Sequence, residues 1–190
     1  MVRIFSKQDE WSVNGKTLNF KVKLGNKIAF KKRIYGPKGP LYRTVMSIRS
    51  MNKIRISTDK NELDRELIFN FLHNEARWCK RIPRNIVEKS IKNSLCFGAF
   101  IGTQQVGFAR MVTDYATFGN LVDVFVIEEF RGNGISRVIL NAVNDHPELQ
   151  GLRRITLATS DKQELYAKFG FKELARPEIF MERFEPSVYS

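Results

Sequence analysis

Between an apolar run that ends at Ile127 and a series of apolar residues at helical spacing that begins at Ile135, the chain reads Arg131-Gly132-Asn133-Gly134-Ile135-Ser136. This segment constrains the fold more than any other. Two glycines at the junction of a strand and a helix let backbone N–H groups converge without Cβ obstruction. The helix that opens there adds the positive end of its dipole, so the sequence specifies a potential anion site. A tight strand-to-helix turn without a ligand would carry the same letters. The Walker phosphate loop is excluded, because Gly, four residues and then Gly-Lys-Ser/Thr occur nowhere. A dinucleotide fingerprint fails as well, since its sixth position must be small and here it is Arg137.

The surrounding pattern is one of alternating elements. Lys53–Ser57 reads as a strand, and Asp59-x-x-Glu62 as a capping-box start for a helix carrying Leu63, Leu67, Ile68, Phe71 and Leu72. A second helix is expected after Pro83, with Ile86, Val87 and Ile91 on its apolar side. Leu95–Ile101, Val106–Asp114 and Leu121–Ile127 read as three strands, the first two joined across Gly102–Gln105. Ile135, Val138, Ile139, Ala142 and Val143 share a helical face. Arg154–Ala158 is a further strand, Asp161-x-x-Glu164 opens a short helix that ends at Gly170, and Ile179–Phe184 reads as a last strand.

The spacing Arg131-x-x-Gly134-x-Ser136 resembles the Arg/Gln-x-x-Gly-x-Gly/Ala loop of the GNAT superfamily of acetyl-CoA-dependent N-acetyltransferases, with Ser136 in place of the usual Gly or Ala. Leu165-Tyr166-Ala167-Lys168-Phe169-Gly170-Phe171 resembles that family's Leu/Phe-Tyr-x-x-hydrophobic-Gly-Phe segment. The resemblance covers residues 51–190. It implies an α/β fold with a mixed, mostly antiparallel sheet flanked by helices. It also implies acetyl-CoA as co-substrate, no metal, and transfer to a primary amine by direct attack in a ternary complex. The amides of Arg131, Gly132, Asn133, Gly134, Ile135 and Ser136 would then hold the pyrophosphate. The backbone of Val124, Phe125 and Val126 would pair with the pantetheine arm, and Thr159 occupies a place where the family often has a coenzyme-contacting Asn. Tyr166 is the implied acid for the departing thiolate, and Trp78 falls in a region that borders the acceptor cleft.

Asp123 interrupts an apolar run, and a buried carboxylate is costly unless paired or solvated. It is a candidate base for the amine, or else a structural carboxylate held by Arg110 or a turn amide. Asp114, Glu128 and a water chain are weaker alternatives for the base. Cys79 and Cys96 are too few for a disulfide framework or a zinc site, and direct attack by an amine needs no enzyme nucleophile.

The net charge of +12 is unevenly placed. Residues 1–50 hold 12 of the 32 basic residues against two acids, Asp9 and Glu10, whereas residues 51–190 hold 20 against 18. A boundary near Met51 is therefore expected, with a basic N-terminal β-hairpin over residues 1–50 and the enzymatic domain over 51–190. Leu18, Phe20, Val22 and Leu24 alternate with polar residues between the turn signals Asn14-Gly15 and Gly25-Asn26. A GNAT-like acyl-CoA-binding module is the alternative reading, with nucleic acid or another acidic partner held through residues 1–50 alone. No apolar run approaches the roughly 18–20 residues of a membrane span. The absence of an apolar leader points to a cytoplasmic protein without membrane contact. The acceptor, a small-molecule or peptide amine, and the oligomeric state are not specified by the sequence.

Overall fold

Residues 54–189 are described in full by the computed structural model, together with three strands of the preceding segment, β1 (Trp11–Asn14), β2 (Thr17–Leu24) and β3 (Lys27–Tyr35). These strands pair antiparallel in the order β1-β2-β3. The side chains of that segment, the docking of its apolar face and the Gly36–Pro40 breaker lie outside the described residues. The chain divides into two units, Met1–Asn52 and Lys53–Ser190.

The second unit is built on a five-stranded sheet, β4 (Ile54–Ser57), β5 (Leu95–Ile101), β6 (Gln104–Thr113), β7 (Phe118–Val126) and β8 (Arg154–Thr156), in that spatial order. Neighbours are antiparallel except β7 and β8, which run parallel. Helices cover both faces, which is why the central strands read as almost unbroken apolar runs. On one face α1 (Arg65–Asn70), a π-helical turn (Phe71–Glu75) and α2 (Arg84–Lys92) bury Ile68, Leu72, Val87 and Ile91 against Cys96, Phe108 and Phe125. On the other, α3 (Ile135–Asn144) buries Ile135, Ile139, Leu140 and Val143 against Phe97, Ala109, Met111 and Leu121. A short α4 (Gln163–Ala167) follows β8 and lays Leu165 and Tyr166 against that second core. This is the expected mixed, mostly antiparallel sheet flanked by helices. Among the described residues, no helix is long and apolar enough to cross a membrane.

Three local expectations are corrected. The first helix is capped by Asp64, whose Oδ1 accepts the Leu67 amide at 2.9 Å, and not by Asp59. Asp59 instead accepts the Asn61 amide at 2.8 Å, which closes a turn that precedes the helix. At α4 the Asp161 carboxylate pairs with Lys162, and Thr159 Oγ1 accepts the Lys162 amide at 3.2 Å in its place. Finally, Ile179–Phe184 forms no strand. A 3-10 turn occupies Pro177–Ile179 and the following residues are irregular, leaving Met181 and Phe184 exposed. Apolar alternation alone does not make a strand without a partner to complete its ladder.

Candidate active site

The loop after β7 has the geometry that its glycines require. A 3-10 turn at Glu128–Phe130 leads into extended Arg131, then Gly132 at φ +80° and Gly134 at φ +77°. Gly134 caps α3, and its carbonyl accepts from the Arg137 and Val138 amides at 3.0 and 3.2 Å. The amides of Ile135 and Ser136 precede any helical acceptor, so they are available to a ligand. The predicted residues divide the work. Arg131 turns back so that its Nε donates to the Val126 carbonyl at 3.0 Å. Asn133 Nδ2 donates to the carbonyls of Phe130 and Arg131. Both side chains brace the loop, while the Ile135 side chain is buried in the core. The loop's anion-binding capacity therefore rests on backbone groups.

One edge of β7 opens beside this loop. Its parallel ladder with β8 spans only Phe118↔Arg154, Gly119↔Ile155 and Asn120↔Thr156. Beyond Asn120 the two strands have no further paired residues, and β7 runs on through Leu121–Val126, including Val124, Phe125 and Val126. An extended amide-bearing ligand fits that edge as an added strand would.

Within the same stretch β7 carries a bulge. Phe108 pairs with Phe125 and Arg110 with Val122, so Asp123 and Val124 face the single residue Ala109. The consequence is a change of parity. Leu121 and Val126 both reach the α3 core although they are five positions apart, and Asp123 is turned toward the α1–α2 face. Asp123 itself has φ +54°. Its carboxylate is largely buried and engaged at both oxygens, with Arg110 Nε at 2.8 Å on Oδ2 and Trp78 Nε1 at 3.1 Å on Oδ1. The sequence offered a base or a structural carboxylate held by Arg110 or a turn amide, and the structure places Arg110 and Trp78 on it.

Tyr166 lies half-buried on α4, its ring edge-on to Phe171 at 6.0 Å between centroids. Burial, reinforced by the Asp161 carboxylate, raises its phenol above the usual value of 10.0. The phenol therefore stays protonated at neutral pH. Thr159 lies in the turn before that helix, where its hydroxyl oxygen accepts the Lys162 amide. Burial pushes the Cys79 thiol up to about 12 and the Cys96 thiol up to about 11, so neither is a nucleophile near neutrality. Asp114 accepts the amides of Ala116, Thr117 and Phe118 and the Thr117 hydroxyl, which hold its carboxyl well below the usual carboxylate range. It serves the turn before β7.

Two clefts flank these elements. One, of about 490 Å³, lies between α1 with its π-helical turn and the segment after β7. It is floored by Leu67, Phe71 and Ile127 and ringed by the carboxylates of Asp64, Glu66, Glu75, Glu128 and Glu129. The second, of about 400 Å³, lies between Arg137 and α4, lined by Lys162 and Lys168 together with the carboxylates of Asp161 and Glu164. Sequence reasoning missed both groupings, because their members come from segments far apart in the chain. Among the described residues, no group of three or more His, Cys, Asp and Glu is placed to hold a metal ion.

Fold and loop together define an acyltransferase, and comparison with known proteins makes the class specific. A family described as the acetyltransferase (GNAT) domain matches residues 92–173. FG08082 of Gibberella zeae, assigned by name to the acetyltransferases, is 33% identical over 141 residues, 62% of this chain and 78% of that one. A Xanthomonas campestris pv. campestris crystal structure assigned to the GNAT acetyltransferases is 49% identical. It superposes with a TM-score of 0.71 over 72% of this chain and 96% of its own. AAC(6')-Iy, solved with the bisubstrate analogue CoA-S-monomethyl-acetylneamine, shares the fold at 18% identity and a TM-score of 0.51, covering 70% of this chain and 98% of its own. The chain belongs to the GNAT family of acetyltransferases.

Proposed function

We propose that the protein moves an acetyl group from acetyl-CoA to a primary amine by direct attack in a ternary complex. The observation that carries this reading is the open edge of β7 running directly into the glycine loop at the start of α3. A ligand with an amide-bearing arm and a terminal pyrophosphate matches that sequence of donors. The arm pairs with Val124, Phe125 and Val126, and the phosphates meet the amides of Gly132, Gly134, Ile135 and Ser136, the Arg131 amide being held instead by the Glu128 carbonyl at 3.2 Å. Arg137 and Lys168 lie beside them as cations for further phosphate, Lys162 being paired with Asp161. The Thr159 hydroxyl, which accepts the Lys162 amide, keeps its own proton for a contact to the coenzyme.

A β7 amide serves as oxyanion donor for the tetrahedral intermediate. Tyr166, kept protonated by burial, donates to the departing thiolate. The acidic lining of the first cleft suits an acceptor that arrives as an ammonium ion. Its proton leaves through water toward Glu128 and Glu129, which line that cleft. The first 50 residues form an appendage to this domain.

The test is a melting series with acetyl-CoA, in which the melting temperature rises with ligand concentration, followed by an amine screen monitoring release of free coenzyme A. No rise at millimolar acetyl-CoA refutes the reading.

A further inference from the structure

Trp78 is an exposed large aromatic residue, 57% accessible, yet its indole is held in place. Its Nε1 donates to Asp123 Oδ1 at 3.1 Å, and Asp123 Oδ2 accepts from Arg110 Nε at 2.8 Å. Arg110 Nη1 donates to Ser94 Oγ at 3.0 Å, and that hydroxyl donates to the Ser90 carbonyl in α2 at 2.8 Å. The Asp123 and Arg110 side chains are 9% and 16% exposed. A largely buried ion pair and a left-handed aspartate thus support a residue that gains little burial from them. Such a backbone geometry persists only where its surroundings over-determine it. The position of the indole gives the arrangement its meaning. Its centroid lies 6.5 Å from that of Phe71, which lines the acidic cleft and stacks on Phe125 of β7 at 3.8 Å. A chain of aromatic rings therefore runs from exposed Trp78 through buried Phe71 to buried Phe125, on the strand proposed to carry the coenzyme edge.

We infer that Trp78 is a specificity-determining wall of the acceptor site, and that Asp123 is the positioning residue that fixes it, not the base that takes the amine's proton. This rests on the acetyltransferase reading. With its N–H tied to Asp123, the indole offers its face to the incoming substrate. A primary ammonium group beside an aromatic face gains a cation–π attraction, and the acidic cleft draws the same charge. Both carboxylate oxygens of Asp123 already accept hydrogen bonds.

The test uses Trp11→Phe as background, so that Trp78 is the only fluorophore of its kind, with Asp123→Asn and Trp78→Phe added singly and together. Asn suits the left-handed backbone, so Asp123→Asn changes the charge with little change in chain geometry. Phenethylamine and butane-1,4-diamine are the probes, read by Trp78 emission where it is present and by steady-state turnover with acetyl-CoA in every variant. Saturable quenching of Trp78 is expected in the background protein. Each single variant raises the acceptor KM by about tenfold, while turnover at saturation stays within about threefold, the pattern of lost binding. The double variant is no worse than either alone, and the melting shift with acetyl-CoA stays as it was.

If Asp123→Asn alone lowers saturated turnover by about 100-fold or more, with the acid limb of the pH profile lost, the inference is overturned in favour of a base. Unchanged KM in both single variants, or no saturable quenching, overturns it as well. Failure of the background protein to respond to acetyl-CoA instead removes the underlying acetyltransferase reading, which is a separate result.

Discussion

Replacing Gly134 by alanine isolates what the glycine loop does. Gly134 caps α3 at φ +77°, ψ +4°, and a Cβ built there meets no protein atom within 4 Å. Packing therefore contributes nothing to the cost. A left-handed non-glycine residue costs roughly 1–2 kcal/mol. Part of that is offset by the smaller conformational freedom of alanine in the unfolded chain, roughly 0.4–1 kcal/mol. The balance is about 1 kcal/mol, a fall in melting temperature of about 2–4 °C for a chain of this size.

Gly102, in the turn between β5 and β6, is an internal control. It has φ +61° and equally open space around its Cβ position, so Gly102→Ala carries the same backbone cost. The two variants part company when acetyl-CoA is added. The open volume at Gly134 is the volume into which a phosphate must come close to the backbone, and only glycine leaves it clear. A tenfold loss of affinity removes about 1.4 kcal/mol of ligand stabilisation, so the ligand-induced shift shrinks by about 3–6 °C in Gly134→Ala. It stays at the parent value in Gly102→Ala. Differential scanning fluorimetry over a ligand series measures both quantities. An undiminished ligand shift in Gly134→Ala refutes the loop as the phosphate cradle, and an equal loss in Gly102→Ala shows that the effect is general instability.

Tyr166→Phe should lower turnover about 100-fold, in the range of general acid catalysis, while the acetyl-CoA melting shift is retained; unchanged turnover removes the acid role. Because the Tyr166 phenol is raised above 10.0, the acid form persists through neutrality, and turnover should not lose its acid until the pH exceeds 10.0. The two thiols give a stability prediction. Their folded values of about 12 and about 11 lie above the ordinary 9.0, so the folded state favours the protonated form. That contribution is complete below pH 9.0 and is lost as pH rises through the folded values, so the melting temperature should fall across that alkaline window. In the native protein at pH 7, iodoacetamide should leave both thiols unmodified until denaturant is added. Rapid native alkylation contradicts their burial.

Much of the fold was legible because local chemistry and final structure agree. Leu95–Ile101 reads as a strand and forms β5 over those same residues. The apolar face of α3 begins at Ile135, where the glycine loop stops and the core begins. The misreadings arise where two local solutions compete. Asp59 and Asp64 both precede apolar residues, but Asp59 is satisfied by Asn61 two residues on. The helix therefore starts at Asp64, whose own amide is held by the buried Gln105 side chain at 2.8 Å. That contact comes from β6, beyond the reach of any local pattern. Ile179–Phe184 fails for the opposite reason. Its composition suits a strand, but only a paired neighbour could make it one.

The site was legible in its loop and illegible in its bulge, and the same physical fact explains both. A glycine loop leaves its mark on sequence because left-handed backbone selects the residue. A bulge leaves such a mark only where the two sheet faces differ in polarity, since a one-residue slip then exchanges polar for apolar positions. Here both faces of β7 are covered by helices, so Leu121, Val122, Val124, Phe125 and Val126 are apolar on either parity. The one residue that records the slip is Asp123. Its carboxylate faces Arg110 and Trp78 because the extra residue turns it there. A regular ladder would pair Asp123 with Ala109, which faces the α3 core, and would send its carboxylate into an apolar layer. The aspartate in an apolar run was therefore a signal of irregular backbone as much as of chemistry. Removing its charge tests the two together.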